Sequence, residues 1–331
     1  MSTRACVRQR TVPAPGEGQA GGMPLHFTEP SCGPRAASRH ALLWVACLVG
    51  FGGAAQGAAP ELLRERFAAV SAQATRTVAD RPVYLQSNET PDSLQGEVFA
   101  LVERPYADVR RALAQADQWC DILILHLNVK YCRASGAPAA EVLDVGIGRK
   151  LDQPLAEVSW VKFHYRVARS DADCLDVTLQ ARSGPLGTED YRIAVEAVPY
   201  SARQALVHLR YAYRFGAAAR WSMKAYLATI GSDKFGFSIV GQRTDGQPIR
   251  VSGMRGVLER NTMRYHLAIE AHVMNIGLPP AQRLTQSLED WFSATERYAP
   301  QLHEMDRGSY LAMKQRELQR QATELPPVRA D

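Results

Sequence analysis

The sequence predicts an α+β fold: an antiparallel sheet with helices packed on one face. Three observations carry this. Several runs alternate apolar and polar residues with period two, the links between them are too short for helical crossovers, and the last third has apolar residues at helical spacing. Alternation this clean means that one sheet face is covered and the other is wetter.

The elements follow in chain order. Residues 60–78 read as a helix, with Pro60 in the first turn and Leu62, Leu63, Phe67 and Val70 on one side. The polar stretch 86–95 reads as a loop, and 97–103 as a strand. Pro105 opens a helix to Trp119, with Val109, Leu113 and Ala116 on one face. In 159–167, Val161, Phe163, Tyr165 and Val167 oppose Trp160, Lys162, His164 and Arg166. In 173–181, Leu175, Val177 and Leu179 alternate with Asp176, Thr178 and Gln180. In 191–198 the row is Tyr191, Ile193, Val195 and Ala197. In 205–215 it is Val207, Leu209, Tyr211, Tyr213 and Phe215. Shorter strands are expected near 124–132, 141–147, 234–241 and 248–253. A helical insertion is expected at 217–230, and helices at 281–298 and 302–321 with a break at Pro300. Segment 263–274 alternates like a strand, but its Met, Leu, Ala and Glu content and a cap at Asn261 or Thr262 favour a helix.

The N-terminus predicts export. Arg35, Arg39 and His40 precede the apolar run from Ala41 to Phe51, and small residues follow to Ala58. These are the three parts of a secretory signal, with cleavage near Gly57. The run is shorter than the roughly 20 residues that span a bilayer. Met23 is an alternative start that leaves a signal of ordinary length. The leader carries Arg4, Arg8, Arg10, Arg35 and Arg39 against Glu17 and Glu29, a surplus of three, so the net charge of +5 falls to +2 after cleavage. No concentrated basic surface remains, which argues against nucleic acid as a partner. A periplasmic or secreted protein is expected.

Three cysteines follow the leader: Cys120, Cys132 and Cys174. In an oxidising compartment Cys120 and Cys132 are the better pair, since one ends a helix and the other lies on the next strand. Three buried thiols are the alternative. Cys120, His126 and Cys132 do not match zinc-ligand spacing, so no metal is expected. Gly146-Ile147-Gly148 reads as a turn, and no nucleophile elbow, Walker loop or His-Glu-x-x-His motif occurs. No cofactor is predicted.

The order strand, helix, antiparallel strands and C-terminal helices over about residues 95–320 resembles the helix-grip fold of the START-like superfamily, which includes lipid-transfer domains and polyketide cyclases. The phrases Glu259-Arg260-Asn261-Thr262-Met263-Arg264-Tyr265 and Trp291-Phe292-Ser293-Ala294-Thr295-Glu296-Arg297-Tyr298 are similar to ones in exported bacterial proteins. The resemblance implies a curled antiparallel sheet gripping C-terminal helices around an apolar cavity, here with an extra N-terminal helix. The expected organisation is a leader and signal over 1–57, a helix and linker over 58–95, the START-like domain over 96–322 and a disordered tail over 323–331.

On that reading Tyr191, Tyr211 and Tyr213 line a pocket for an apolar small molecule or lipid with one polar end. His126 is a further ligand-binding candidate. Arg260 and Arg264, four apart on one helix face, either hold a carboxylate or phosphate or tie the helix to Glu289, Asp290 or Glu296. Arg255 and Glu259 share a face in the same way. The alternatives are an enzyme of this fold using His126, His164, His208 or Glu259 as acid and base, and an envelope assembly factor docking through its C-terminal helices.

Overall fold

The computed structural model describes residues 58–73, 83–217, 220 and 234–326. The predicted leader, signal, cleavage site and alternative start, most of the 217–230 insertion and the end of the tail lie outside the described residues.

Helix α1 (Ala58–Gln73) precedes a hairpin of β1 (Val83–Glu89) and β2 (Ser93–Val102). The stretch read as a loop is therefore mostly strand. Its polar residues pair with β2 at the sheet edge, from Val83 opposite Ala100 to Glu89 opposite Leu94. An edge strand buries little, so it lacks the apolar alternation by which strands are recognised.

The helix predicted from Pro105 is two: α2 (Tyr106–Leu113) and α3 (Ala116–Leu123). The break has a clear cause. The Leu113 carbonyl accepts from Trp119 Nε1 at 2.8 Å and from the Tyr165 hydroxyl at 3.1 Å, so buried side chains take the bond that would have continued the helix.

Six further strands complete the sheet: β3 (Val129–Ser135), β4 (Val142–Ile147), β5 (Ser159–Ser170), β6 (Leu175–Ser183), β7 (Thr188–Pro199) and β8 (Ala205–Phe215). The spatial order is β1-β2-β8-β7-β6-β5-β4-β3, and every ladder is antiparallel. Asp171 makes the β5–β6 turn by accepting from the backbone N–H groups of Asp173 and Cys174, both at 2.9 Å. A separate hairpin, β9 (Ile239–Gln242) with β10 (Pro248–Arg250), exposes Ile239, Val240 and Ile249.

The long helix α4 (Gly253–Met274) contains the ambiguous segment 263–274. It is followed by α5 (Pro280–Glu296), the short α6 (Ala299–Leu302) at Pro300, and α7 (Arg307–Thr323). Helix α4 packs on β1, β2 and β8 with α5 on its other side, while α3 and α7 lie against β3. Packed on both sides, α4 buries residues around most of its circumference, Glu259, Arg260 and Arg264 among them. The period-two pattern of 263–273 therefore has no strand meaning.

The curled grip expected from the sequence is corrected here. The sheet is open, ending in β1 on one side and β3 on the other. A curled sheet wraps a single helix. Here several helices tile the broad inner face as a layer, so the two edges have no reason to approach. On the outer face, Leu63 and Phe67 of α1 form a second, smaller core with Phe99, Cys174, Val198 and Leu206.

Gly96 marks the closest approach of sheet and helix. A Cβ at this position would overlap the Thr262 side chain of α4 and crowd Leu258. Gly96→Ala is expected to lower stability by about 1–3 kcal/mol through overpacking, measured by urea denaturation. An unchanged midpoint would show that α4 can retreat without loss.

Candidate functional site

An unbroken run of rings crosses the space between β7, β8 and α4. Tyr213 stacks on Tyr191 at 5.1 Å, Tyr211 lies 5.7 Å from Tyr213, and Tyr265 of α4 lies 5.1 Å from Tyr211. Tyr265 stacks in turn on His126 at 4.8 Å. The Tyr191 hydroxyl pairs with Thr188 Oγ1 at 2.8 Å. Those of Tyr211, Tyr213 and Tyr265 have no hydrogen-bond partner among the described residues, and burial alone is the main cause that raises all three phenols. The predicted pocket residues Tyr191, Tyr211 and Tyr213 are thus brought together with His126. Tyr265 was missed, because nothing in the predicted helix over 263–274 says which of its faces meets β8.

Arg264, the next residue of interest on α4, is 1% exposed. Its Nη2 donates to Glu304 Oε1 at 2.7 Å and to the Leu302 carbonyl at 3.2 Å. The partner is therefore Glu304, in the α6–α7 link, and not Glu289, Asp290 or Glu296. Lys150, after β4, also reaches Glu304 Oε1, at 2.5 Å, and Lys234 lies 3.8 Å from Oε2. Burial, then the charge of Arg264, pushes Lys150 down to about 8. Arg260 is buried one turn before Arg264, close enough to add to that effect. Lys150, Lys234 and Glu304 come from loops far apart in sequence, and nothing in their spacing marks them.

His126 sits in the turn after α3. Its Nδ1 accepts from the Asn128 N–H at 3.1 Å, which leaves the ring proton on Nε2. Nε2 is fully buried and meets no acceptor among the described residues. Burial, then Arg264, Lys314, Lys150 and Lys130, holds the imidazole well below its ordinary pKa, so the ring is neutral.

The backbone of this turn is held by a buried ion group. Lys314 Nζ on α7 donates to the His126 and Val129 carbonyls and to Glu317 at 2.8–2.9 Å. Lys130 Nζ donates to the Leu127 carbonyl at 2.7 Å and to the other Glu317 oxygen at 2.8 Å. All three side chains are fully buried. Tyr310 donates to the Leu125 carbonyl at 2.9 Å. Beside it the Cys120–Cys132 disulfide joins α3 to β3, with Cα atoms 5.1 Å apart, and Cys174 is a buried free thiol.

The other titratable candidates are placed elsewhere. His208 lies under α1, stacked on Phe99, with Nε2 2.8 Å from Glu97 and Nδ1 3.0 Å from Glu196. Arg66 of α1 reaches the same Glu97 at 3.1 Å. Glu259 is fully buried and committed to structure: it accepts from the Phe237 and Ser238 N–H groups, and Arg255 stands 3.9 Å away. His164 borders a hollow of about 650 Å³ on the sheet's outer face, over a cross-strand row of His164, Gln180, Arg192, Ala212 and Gln95. Tyr191 and Tyr213 also line this hollow, so it reaches one end of the run of tyrosines. No three His, Cys, Asp or Glu side chains gather into a metal-ligand set among the described residues. No described helix is long and apolar enough to cross a membrane.

No family model matches the chain, and no curated protein matches it. Among solved structures it is similar to a truncated norcoclaurine synthase from Thalictrum flavum, at 14% identity and a TM-score of 0.31, over 44% of this chain and 89% of that one. Ara h 8.0201 is similar at 9% identity and 0.33, over 58% and 99%. Human StAR-related lipid transfer protein 5 is similar at 10% and 0.30, over 48% and 81%. At these identities and TM-scores the likeness brings no ligand or reaction to this chain.

Two outcomes follow for the ion group and the disulfide. Glu317→Gln leaves two buried ammonium groups without their shared carboxylate and is expected to destabilise by about 3–5 kcal/mol, whereas replacing Lys130, Lys314 and Glu317 together by Met, Met and Leu is much milder. Removing the Cys120–Cys132 bridge by double Ala substitution is expected to lower stability by about 2–3 kcal/mol. Urea denaturation reads both.

Burial pushes Lys314, like Lys150, from an ordinary 10.5 down to about 8. Between those values the unfolded chain binds more protons than the folded one, so stability rises with pH. Denaturation midpoints should climb from about pH 8 to about pH 9.5 and flatten in a Lys150→Met, Lys314→Met double variant. Above that range the buried tyrosines act in the opposite direction.

Proposed function

We propose that this protein is exported and binds a small molecule, with an apolar body and a hydrogen-bonding group, against the tyrosine tract between β8 and α4. The observation that carries this reading is the set of three adjacent phenols, Tyr211, Tyr213 and Tyr265, whose hydroxyls have no partner among the described residues. A hydroxyl held largely out of water without a protein partner keeps its bonding capacity free for a ligand. Three side by side supply an aromatic wall and three donors, which suits recognition of a mostly apolar ligand. Export is supported by the basic, apolar and small-residue order before Ala58, and by a disulfide of the kind that persists in oxidising compartments.

Native mass spectrometry of protein recovered from the periplasm of an exporting host tests both parts. The expected result is a chain that begins near Ala58 with an apolar adduct released by solvent extraction. Absence of any adduct, together with no binding of the neutral probe N-phenylnaphthylamine, would count against ligand binding. Retention of the leader in the recovered chain would count against export. Tyr211→Phe separates ligand recognition from folding. It removes a hydroxyl that has no partner among the described residues and should leave stability within about 1 kcal/mol, yet weaken binding of the native ligand.

A further inference from the structure

The polar groups at the His126 end of the tyrosine tract are unbalanced in charge. Lys150, Lys234 and Arg264 face one carboxylate, Glu304. Immediately beyond His126, Lys130 and Lys314 share one more, Glu317. The nearby Asp152 is already taken by Arg316 and Arg320. A partly buried cluster with more cations than anions is held against mutual repulsion, and the repulsion is visible in Lys150, whose proton affinity falls through burial and then through Arg264. In the same place stands a neutral His126 whose Nε2–H is fully buried and meets no acceptor among the described residues. Unsatisfied buried donors are rare and call for an explanation. Excess positive charge and an unpaired donor have one common complement, an anionic oxygen.

We infer that this cluster is the head-group site of the ligand, and that it takes an anionic oxyacid group, a carboxylate or a phosphate monoester, between His126, Arg264 and Lys150. The inference rests on the tyrosine tract being the ligand's apolar wall. Tyr265 joins the two parts, since its ring touches both Tyr211 and His126. Solvent reaches the site at Lys150 and Lys234, whose side chains are 31% and 36% exposed. The His126 backbone is pinned by Lys314, so the imidazole is held in position before an anion arrives. Glu304, on the α6–α7 link, neutralises part of the cluster and leaves the surplus that an incoming anion completes.

The test compares dodecanoate, dodecyl phosphate and uncharged dodecanol by calorimetry on the exported chain and on Lys150→Gln, a partly exposed position where the fold should survive. Both anions are expected to bind about tenfold or more tightly than dodecanol, and Lys150→Gln should remove most of that advantage while leaving dodecanol unchanged. In histidine-labelled protein the His126 Nε2–H resonance should move downfield with either anion and not with dodecanol. Equal binding of anions and alcohol, with His126 unmoved, overturns the head-group site and leaves the tyrosine tract standing. If no amphiphile binds, the tract reading fails, and inorganic phosphate then tests the cluster by itself. A His126 shift that Lys150→Gln abolishes supports the anion site, and no shift overturns it.

Discussion

The contact between Gly96 of β2 and Thr262 of α4 sets the spacing of sheet and helix on which the rest of the interior depends. Because β2 carries no side chain there, α4 lies directly against the strand. Its Thr262 hydroxyl turns back to its own Leu258 carbonyl at 2.8 Å, so the tight contact leaves no polar group unpaired. With α4 in that position, Tyr265 meets Tyr211 and Arg264 reaches the α6–α7 link.

A second constraint holds the opposite end. The turn after α3 carries four buried carbonyls, and each finds a donor: Leu125 from Tyr310, His126 and Val129 from Lys314, Leu127 from Lys130. Buried backbone oxygens must be paired. Here lysine ammonium groups do the pairing, and Glu317 compensates their charge. The arrangement is demanding, because removing any one member strands the others in a low-dielectric interior. It also explains why a chain with an open sheet has a firmly placed C-terminal helix: α7 is fixed by polar bonds to β3 and the turn before it, beside a disulfide that fixes α3 to the same strand.

The two sheet faces differ in kind. The inner face is apolar and aromatic and is tiled by helices. The outer face carries rows of charged and amide side chains, partly covered by α1 through Phe67 and the Arg66–Glu97 pair. The hollow of about 650 Å³ is lined by Gln95, His164, Gln180 and Arg192 together with Tyr191 and Tyr213, while the unpaired His126 Nε2–H and the Arg264 guanidinium are buried inside. The groups with unmet bonding capacity mark where recognition is expected.

The central strands were legible in the sequence because each buries one face. The row from Val207 to Phe215 falls within β8, whose ends lie where the alternation ends. The edge strand β1 was not legible, since an edge buries too little to leave a pattern, and the split between α2 and α3 was not, since a distant tyrosine causes it. Tyr191, Tyr211 and Tyr213 were visible as aromatic positions on inward rows, and Arg260 and Arg264 as neighbours on a helix face. Local periodicity determined these, because it records which side of an element is dry. Only the tertiary structure decided that the sheet stays open, that Arg264 pairs with Glu304, and that Lys150, Lys314 and Tyr265 surround His126. Those contacts join residues up to 188 positions apart, where no spacing in the chain encodes a meeting.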